Sequence, residues 1–479
     1  MSTSRPLEYA AAHRQQFLKE LGDFVRFPSI SSQPKGTEGI ERCAQWVARH
    51  LRKIGLERVT IIRTPRHPAV FASWEHAPGR PTVLVYGHYD VLPPDPVKEW
   101  RTPPFEPTVQ GQNLYGRGAC DDKGQVFTHV KAIESWLKTE RALPVNVKCL
   151  IEGEEEIDSP NLPALVRKYR RALTADVALV SDNPMLGPDR PVISYGQRGS
   201  LRLELELRGA AQDLHSGNFG GAVHNPLQAL AEILCSLHDR DGHVAIPGFY
   251  DRVRHASPSE RVRLRQGAPS DAQILREAGA VRGWGESEYT LYERTALRPA
   301  LTFNGIAGGY QGPGVKAVIP SRARAKLSFR LVPDQDPAEI DALFRRHVAR
   351  VTPRTMRAAV RTVSSARPAL LDPKHPGMRA AVFAYRKGFG ATPVFLRTGG
   401  SLPVVSVFQE TLGIPTVQMG FALPDDRMHA PNEKFYLPNF YRGIAASTWF
   451  LAAVEKSMGR SQHRLRNTEM SGRAMAYGD

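Results

Sequence analysis

The stretch Pro81-Thr82-Val83-Leu84-Val85-Tyr86-Gly87-His88-Tyr89-Asp90-Val91-Leu92-Pro93 decides the fold. Its uncharged aliphatic and β-branched run predicts a buried parallel strand, and Gly87 ends that run where an imidazole and a carboxylate stand two residues apart. Open α/β sheets bind ligands beyond the carboxyl ends of their strands, so His88 and Asp90 are expected to face a crevice. Taken alone they read equally well as a capping His and a turn Asp.

The same arrangement recurs along the chain. Amphipathic helices are predicted over residues 9–25 and 40–54, the second with Cys43, Val47, Leu51 and Ile54 on one face and Gly55 as its stop. Short strands at 59–62 and 70–73 lead into the opening stretch, and further buried strands are predicted at 145–151, 177–180 and 414–419. Gly116-Arg117-Gly118-Ala119-Cys120-Asp121-Asp122-Lys123-Gly124 precedes a helical run over 126–138, which sets Asp121 at the positive end of a helix dipole. Glu152-Gly153-Glu154-Glu155-Glu156-Ile157-Asp158 follows one strand, Ser181-Asp182-Asn183-Pro184 another, and Met428-His429-Ala430-Pro431-Asn432-Glu433 a third.

Alone, Asp121 reads as a helix cap and the acidic run as a solvated surface. Placed after buried strands, these carboxylates repel one another unless cations neutralise them. His88, Asp90, Asp121, Glu155, Glu156, Asp182 and His429 therefore read as one crevice-facing set, and oxygen and imidazole donors without thiolate suit zinc, manganese or cobalt. Two divalent ions balance Asp121, Glu156, Asp182 and a bridging hydroxide, an arrangement that activates water and polarises a carbonyl. Glu155, beside a ligand, is the natural proton carrier.

At 479 residues the chain is too long for one core, so two or three domains are expected. No apolar run approaches the roughly 20 residues of a membrane span, and the N-terminus has no signal pattern, so a cytoplasmic address without membrane contact is expected. Cys43, Cys120, Cys149 and Cys235 are scattered and predict neither disulfides nor a thiolate metal site. The net charge of +16 raises the question of nucleic acid, but no basic run is interleaved with aromatics, and an Arg-rich solvated surface is the favoured reading. The most basic segment, 461–466, is expected to be a mobile end.

From Ser200 the text changes, with Leu201, Leu203, Leu205 and Leu207 alternating with Arg202, Glu204, Glu206 and Arg208, as in a half-exposed antiparallel strand. A helix over 222–237, a loop-rich stretch over 238–287 and a second alternating strand over 323–331 follow. Helix and buried strand return near residue 372.

Gly87-His88-Tyr89-Asp90-Val91, Gly116-Arg117-Gly118 through Gly124, Glu155-Glu156, Ser181-Asp182-Asn183 and His429 through Lys434 occur in order over nearly the whole chain. With them the sequence resembles the co-catalytic zinc metallopeptidases that include aminoacylase, glutamate carboxypeptidases and carnosinase, most closely the cytosolic nonspecific dipeptidase branch. The resemblance implies an α/β catalytic domain with a mostly parallel sheet flanked by helices, made of residues 1–198 and 372–479. It implies that a smaller α+β lid and dimerisation domain, 199–371, interrupts it. It further implies two divalent ions per subunit, zinc first with manganese or cobalt as alternatives. Asp121 would bridge them, with His88 and Asp182 on one and Glu156 and His429 on the other. Asp90 would orient His88, and Glu155 would serve as general base and acid.

The motif Asp213-Leu214-His215-Ser216-Gly217 resembles one whose His reaches across a homodimer to the substrate carbonyl, and Phe329-Arg330-Leu331-Val332-Pro333 places Arg330 where its fork could take a substrate carboxylate. Asn304, the Gly308-Gly309 pair, Gly400 and Ser401 resemble further substrate-side elements. One departure stands out: Arg397-Thr398-Gly399-Gly400-Ser401 carries Thr398 where the branch has Glu, which removes a charge that could hold a substrate ammonium group. Asp158, where the family has a small residue, is a second. The expected function is metal-dependent hydrolysis of the amide bond of dipeptides or small peptide-like substrates with a carboxylate. An N-acyl amino acid deacylase or N-carbamoyl amidase is the alternative, and a non-catalytic scaffold a more distant one.

Overall fold

The computed structural model describes residues 1–32 and 37–474, with 37 and 460–474 as backbone only. By contact density the chain divides into two compact units. The first comprises Met1–Tyr195, Leu371–Leu396 and the segment from Val407 onward, and the second comprises Gly196–Leu370 and Arg397–Ser406.

The first unit is built on the strand Thr82–His88, buried from Val83 onward. A strand covered on both faces cannot alternate polar with apolar, which is why its sequence is one unbroken apolar run. It pairs in parallel with Asn146–Glu152 on one side and Val177–Val180 on the other, and Thr416–Met419 joins Val177–Val180, also in parallel. Ala69–Trp74 and Glu57–Ile62 extend one end antiparallel, and Val192–Gln197 runs antiparallel to Thr416–Met419 at the other. The connection after Thr82–His88 runs to Asn146–Glu152 on one side, and the connection after Asn146–Glu152 crosses back to Val177–Val180 on the other, so the carboxyl ends open into a crevice where the strand order reverses. The helices Thr37–Ile54, Lys123–Glu140, Pro376–Phe389 and Leu437–Ala474 belong to this unit. Residues 9–25, read as one helix, are two, Ser4–Ala12 and Arg14–Val25, broken at His13, whose Nδ1 lies 2.8 Å from the Tyr9 carbonyl. The basic segment 461–466 belongs to the last helix, and its side chains lie outside the described residues. Among the described residues no helix is long and apolar enough to cross a membrane.

The second unit holds a four-stranded antiparallel sheet in the order Ala300–Gly308, Arg322–Leu331, Gly199–Arg208, Arg357–Ala366. Leu201, Leu203, Leu205 and Leu207 point into a core shared with Phe329, with Ile233 and Leu234 of the helix Pro226–Cys235, and with Ile340 and Phe344 of the helix Pro337–Val351. The alternating charged residues take the other face and pair across strands, Glu204 with Arg361 and Glu206 with Arg324.

Two features differ from the sequence reading. The stretch 238–287 contains the helices Pro258–Gly267 and Asp271–Ala278, started by Ser257 and Ser270, whose hydroxyls accept from the Glu260 and Gln273 amides. The first of these is rich in Arg and carries almost no apolar face, so periodicity did not reveal it. Residues 397–406, which the sequence assigns with everything after 372 to the catalytic domain, belong to the second unit. Tyr292 donates its hydroxyl to the Arg397 carbonyl (2.9 Å) and accepts from the Arg397 amide (3.0 Å), Arg397 pairs with Glu260 at 2.6 Å, and Gln197 Nε2 donates to the Leu402 carbonyl at 2.7 Å.

Phe329 is fully buried between Phe249 (ring centroids 6.0 Å apart) and Phe344 (5.6 Å). Phe329→Ala is expected to cost about 3–5 kcal/mol, read by urea unfolding followed through circular dichroism; a loss below about 1 kcal/mol contradicts this packing.

Candidate active site

The crevice of the first unit gathers residues from five segments. His88 ends its strand and is fully buried. Its Nδ1 lies 3.0 Å from the Asp90 carbonyl and 3.4 Å from Asp90 Oδ1, so the ring donates through Nδ1 and turns Nε2 toward Asp121 Oδ1 (3.1 Å) and Asp182 Oδ2 (3.7 Å). The two oxygens of Asp90 also accept the amides of Glu155 (3.2 Å) and Glu156 (3.1 Å). One buried carboxylate thereby fixes an imidazole and the turn Glu155–Ile157 together. That turn ends at Asp158, whose φ of 68° is the left-handed conformation that Asp tolerates better than most residues.

Asp121 precedes the helix Lys123–Glu140, across an Asp121–Asp122 peptide bond that is cis. The N-cap position falls to Asp122 instead, and its side chain does not cap the helix; Oδ2 accepts from the His88 amide at 3.3 Å. Gly87 makes this approach possible, because a Cβ there would lie 2.6 Å from Asp122 Oδ2 and 2.5 Å from Val126 Cγ2.

The loop 426–434 brings in His429. Arg427, His429 and Asn432 all have positive φ (57°, 64° and 65°), conformations that cost about 1–3 kcal/mol each and persist only where surrounding contacts impose them. Those contacts close the loop at both ends. Asp426 accepts from the Leu423 amide (2.7 Å) and Lys434 Nζ (3.0 Å), and Asn432 binds the Glu99 carbonyl (2.8 Å) and the Arg101 amide (2.7 Å). Glu433, fully buried, accepts from Arg117 Nη1 (2.7 Å) and from the amides of Gly118 (2.9 Å), Cys120 (2.9 Å) and Asp121 (3.0 Å). His429 Nε2 then lies 2.9 Å from Asp121 Oδ2 and 3.4 Å from Glu156 Oε2.

Two donor triads result, His88–Asp121–Asp182 and Asp121–Glu156–His429, with the two oxygens of Asp121 divided between them. The electrostatics fit cations. Burial pushes Asp182 up to about 7, with the Asp121 charge adding to the effect. Glu155 and Glu156 are driven well above the carboxylate range by desolvation, then by the surrounding Asp charges. Burial alone would raise Asp121 too, but hydrogen bonds from His429 and His88 hold it below its ordinary value. Burial opposes charging His88, yet Asp121 and Asp90 raise it well above an ordinary imidazole. Carboxylates that must share protons with one another and with two imidazoles form the donor set of a divalent-ion site.

The remaining sequence candidates lie in the second unit. Arg330 Nη1 donates to Ser401 Oγ at 2.9 Å, and Ser401 Oγ donates to the Arg198 carbonyl at 2.6 Å. The Ser401 proton is thus committed to the Arg198 carbonyl, and toward Arg330 the hydroxyl acts as an acceptor. Asn304 sits at a β-bulge, between Phe303 and Gly305 in the pairing with Arg322–Leu331, and accepts from Ser328 Oγ. Asn304 and Arg330 line one groove of about 450 Å³ with Arg202, Lys326 and Ser328. Gly400 is exposed, and the Thr398 carbonyl accepts from the Arg198 amide at 3.3 Å. His215 is exposed, with its Nδ1 accepting from the Gly217 amide at 3.0 Å, and it takes no part in the Arg330–Ser401 hydrogen bonds.

Sequence reading left three positioning groups without a role: Glu433, Asp426 and Arg198. Glu433 was visible as part of a motif, but four donors converging from a segment over 300 positions away leave no local pattern.

A family model described as peptidase family M20/M25/M40 matches residues 84–453, and the chain belongs to that family of metallopeptidases. It is 32% identical over 461 residues to the Cys-Gly metallodipeptidase dug1 of Schizosaccharomyces pombe, covering 93% of this chain and 96% of that protein. It is 31% identical over 454 residues to the human Beta-Ala-His dipeptidase, covering 91% and 89%. Among solved structures, the M20 family metallo-carboxypeptidase Sso-CP2 of Sulfolobus solfataricus superposes with a TM-score of 0.84 at 32% identity, covering 92% of this chain and 99% of that one.

Two outcomes test this geometry. Glu433→Gln keeps the shape but turns an acceptor of four hydrogen bonds into a mixed donor, and zinc or manganese affinity by calorimetry should fall about 10–100-fold; unchanged affinity contradicts the positioning role. Carboxyl groups raised by folding destabilise the metal-free protein progressively as pH climbs from their unfolded values near 4 to their folded values, about 7 for Asp182. An added divalent ion removes that penalty, so its gain in Tm should be larger at pH 8 than at pH 6, and an equal or smaller gain at pH 8 contradicts the electrostatic reading.

Proposed function

We propose that the protein is a di-metal hydrolase that cleaves the amide bond of dipeptides or small peptide-like substrates carrying a carboxylate. The observation that carries this reading is the pair of donor triads sharing Asp121. His88, Asp121 and Asp182 would hold one divalent ion and Asp121, Glu156 and His429 the other, with zinc the ion proposed and manganese or cobalt the alternatives. When bound, such ions activate water and polarise the scissile carbonyl.

The chain's own residues carry the proton and orient the groups. Glu155, its backbone held by Asp90, takes the proton of the attacking water and returns it to the leaving amine. Burial raises its affinity for that proton above that of an ordinary carboxylate. Arg330 receives the substrate carboxylate, with Ser401 fixing the fork. His215 steadies the oxyanion from the partner subunit of a homodimer, a role supported by its exposure and by its motif. The names of the relatives, a Cys-Gly metallodipeptidase and a Beta-Ala-His dipeptidase, support a dipeptide as substrate.

Thr398 favours a second reading. With no carboxylate at that position to hold an ammonium group, an N-acylated or N-carbamoylated amino acid fits as well as a free dipeptide. Free dipeptides and their N-acetyl counterparts, assayed side by side on zinc- or manganese-loaded enzyme, separate the two: preference for the blocked series makes it a deacylase, and preference for the free series a dipeptidase. Glu155→Gln is expected to lower kcat by at least about 10²–10⁴-fold with metal content retained; near wild-type turnover excludes Glu155 as the proton carrier. Mixing His215→Ala with Glu155→Gln subunits should restore part of the activity if His215 acts in trans, and no recovery rejects that role.

A further inference from the structure

Arg198 stands at the start of the strand Gly199–Arg208 and is only 8% exposed. Its guanidinium is held by backbone carbonyls from two segments, Nε to Gly399 (3.2 Å) and Nη1 to Arg298 (3.2 Å) and Arg294 (3.4 Å). Its own backbone grips the same turn, through its amide to the Thr398 carbonyl (3.3 Å) and its carbonyl to Ser401 Oγ (2.6 Å). Ser401 Oγ in turn accepts from Arg330 Nη1 at 2.9 Å. The Arg298 carbonyl that Arg198 uses is itself placed by a buried pair, Arg298 with Glu286, whose guanidinium lies over the rings of Tyr250 and Tyr289.

We infer that Arg198 is a positioning residue for the substrate carboxylate, setting Arg330 through the 398–401 turn and adding a second, buried positive charge to the corner where that carboxylate binds. A guanidinium held by neutral carbonyls keeps its full charge for the field around it, and in a desolvated corner that field falls off slowly. The two guanidiniums are close enough to repel: burial, then the Arg330 charge, brings the Arg198 pKa down to about 9. A carboxylate arriving at Arg330 lowers that repulsion, so the corner gains most when an anion is present. The order of donation agrees, because the Ser401 proton goes to the Arg198 carbonyl and its lone pair to Arg330, so that the Arg198 backbone sets the direction from which Arg330 is held.

This inference rests on the proposed hydrolysis of carboxylate-bearing substrates, and its test separates the two. Metal-loaded wild type, Arg198→Met and Arg198→Lys are assayed on a free dipeptide and on the same dipeptide with its carboxyl group amidated. Arg198→Met should raise KM for the free carboxylate about tenfold or more, with kcat changed far less, and this loss should exceed the loss on the amide by a similar factor. Arg198→Lys, which keeps the charge but not the three-carbonyl grip, should fall between wild type and Arg198→Met. Equal losses on both substrates assign Arg198 a structural role and overturn the inference, as does a wild-type KM. Calorimetric binding of the free amino acid leucine provides a readout without turnover. If wild type hydrolyses no dipeptide yet Arg198→Lys or Arg198→Met weakens leucine binding, the proposed function fails and this inference stands; leucine binding equal to wild type in both variants overturns it.

Discussion

Asp121 offers one oxygen to His88 Nε2 at 3.1 Å and the other to His429 Nε2 at 2.9 Å, and the rest of the site depends on its being held there. Glu433 does the holding. By accepting the Asp121 and Cys120 amides and the Arg117 guanidinium, it ties the loop that carries Asp121 to the loop that carries His429. The three left-handed residues of the His429 loop are tolerated because Asp426, Asn432 and Glu433 leave the chain between them no other course. Asp90 plays the corresponding part on the other side, joining His88 to Glu155 and Glu156. Two buried carboxylates thus fix the positions of the groups on which the proposed chemistry depends.

The two units show opposite electrostatics. In the first, carboxylates crowd until Asp182 holds its proton up to about 7, an arrangement relieved by cations. In the second, burial and then the Arg330 charge disfavour the charge of Arg198, an arrangement relieved by an anion. Both clusters cost folding free energy that packing elsewhere offsets, as expected where function rather than stability sets the residues.

Much of this was legible in the chain. Residues 83–87, 149–151 and 177–180 are unbroken apolar runs because both faces of a parallel sheet are covered, and a chemical group follows each, so strand and site announce one another. The alternation from Leu201 to Arg208 revealed the second sheet for the complementary reason, that one of its faces meets water. What stayed hidden was long-range. The helix Pro258–Gly267 has no apolar stripe to betray it, and the transfer of 397–406 to the second unit follows from hydrogen bonds to Tyr292, Glu260 and Gln197 that no local pattern encodes. Arg198 looked like one more basic residue among 64, and only its three carbonyl partners distinguish it.

If Asp121 joins two cation positions, their joint occupancy should be what supports amide hydrolysis. The most direct measurement titrates metal-depleted protein with zinc or manganese while following bound ion per chain and hydrolysis of a substrate with a free carboxylate. The expected result is no turnover without metal and a plateau of activity at two ions per chain. Full activity in chelator, or saturation with a single bound ion, would contradict a shared Asp121.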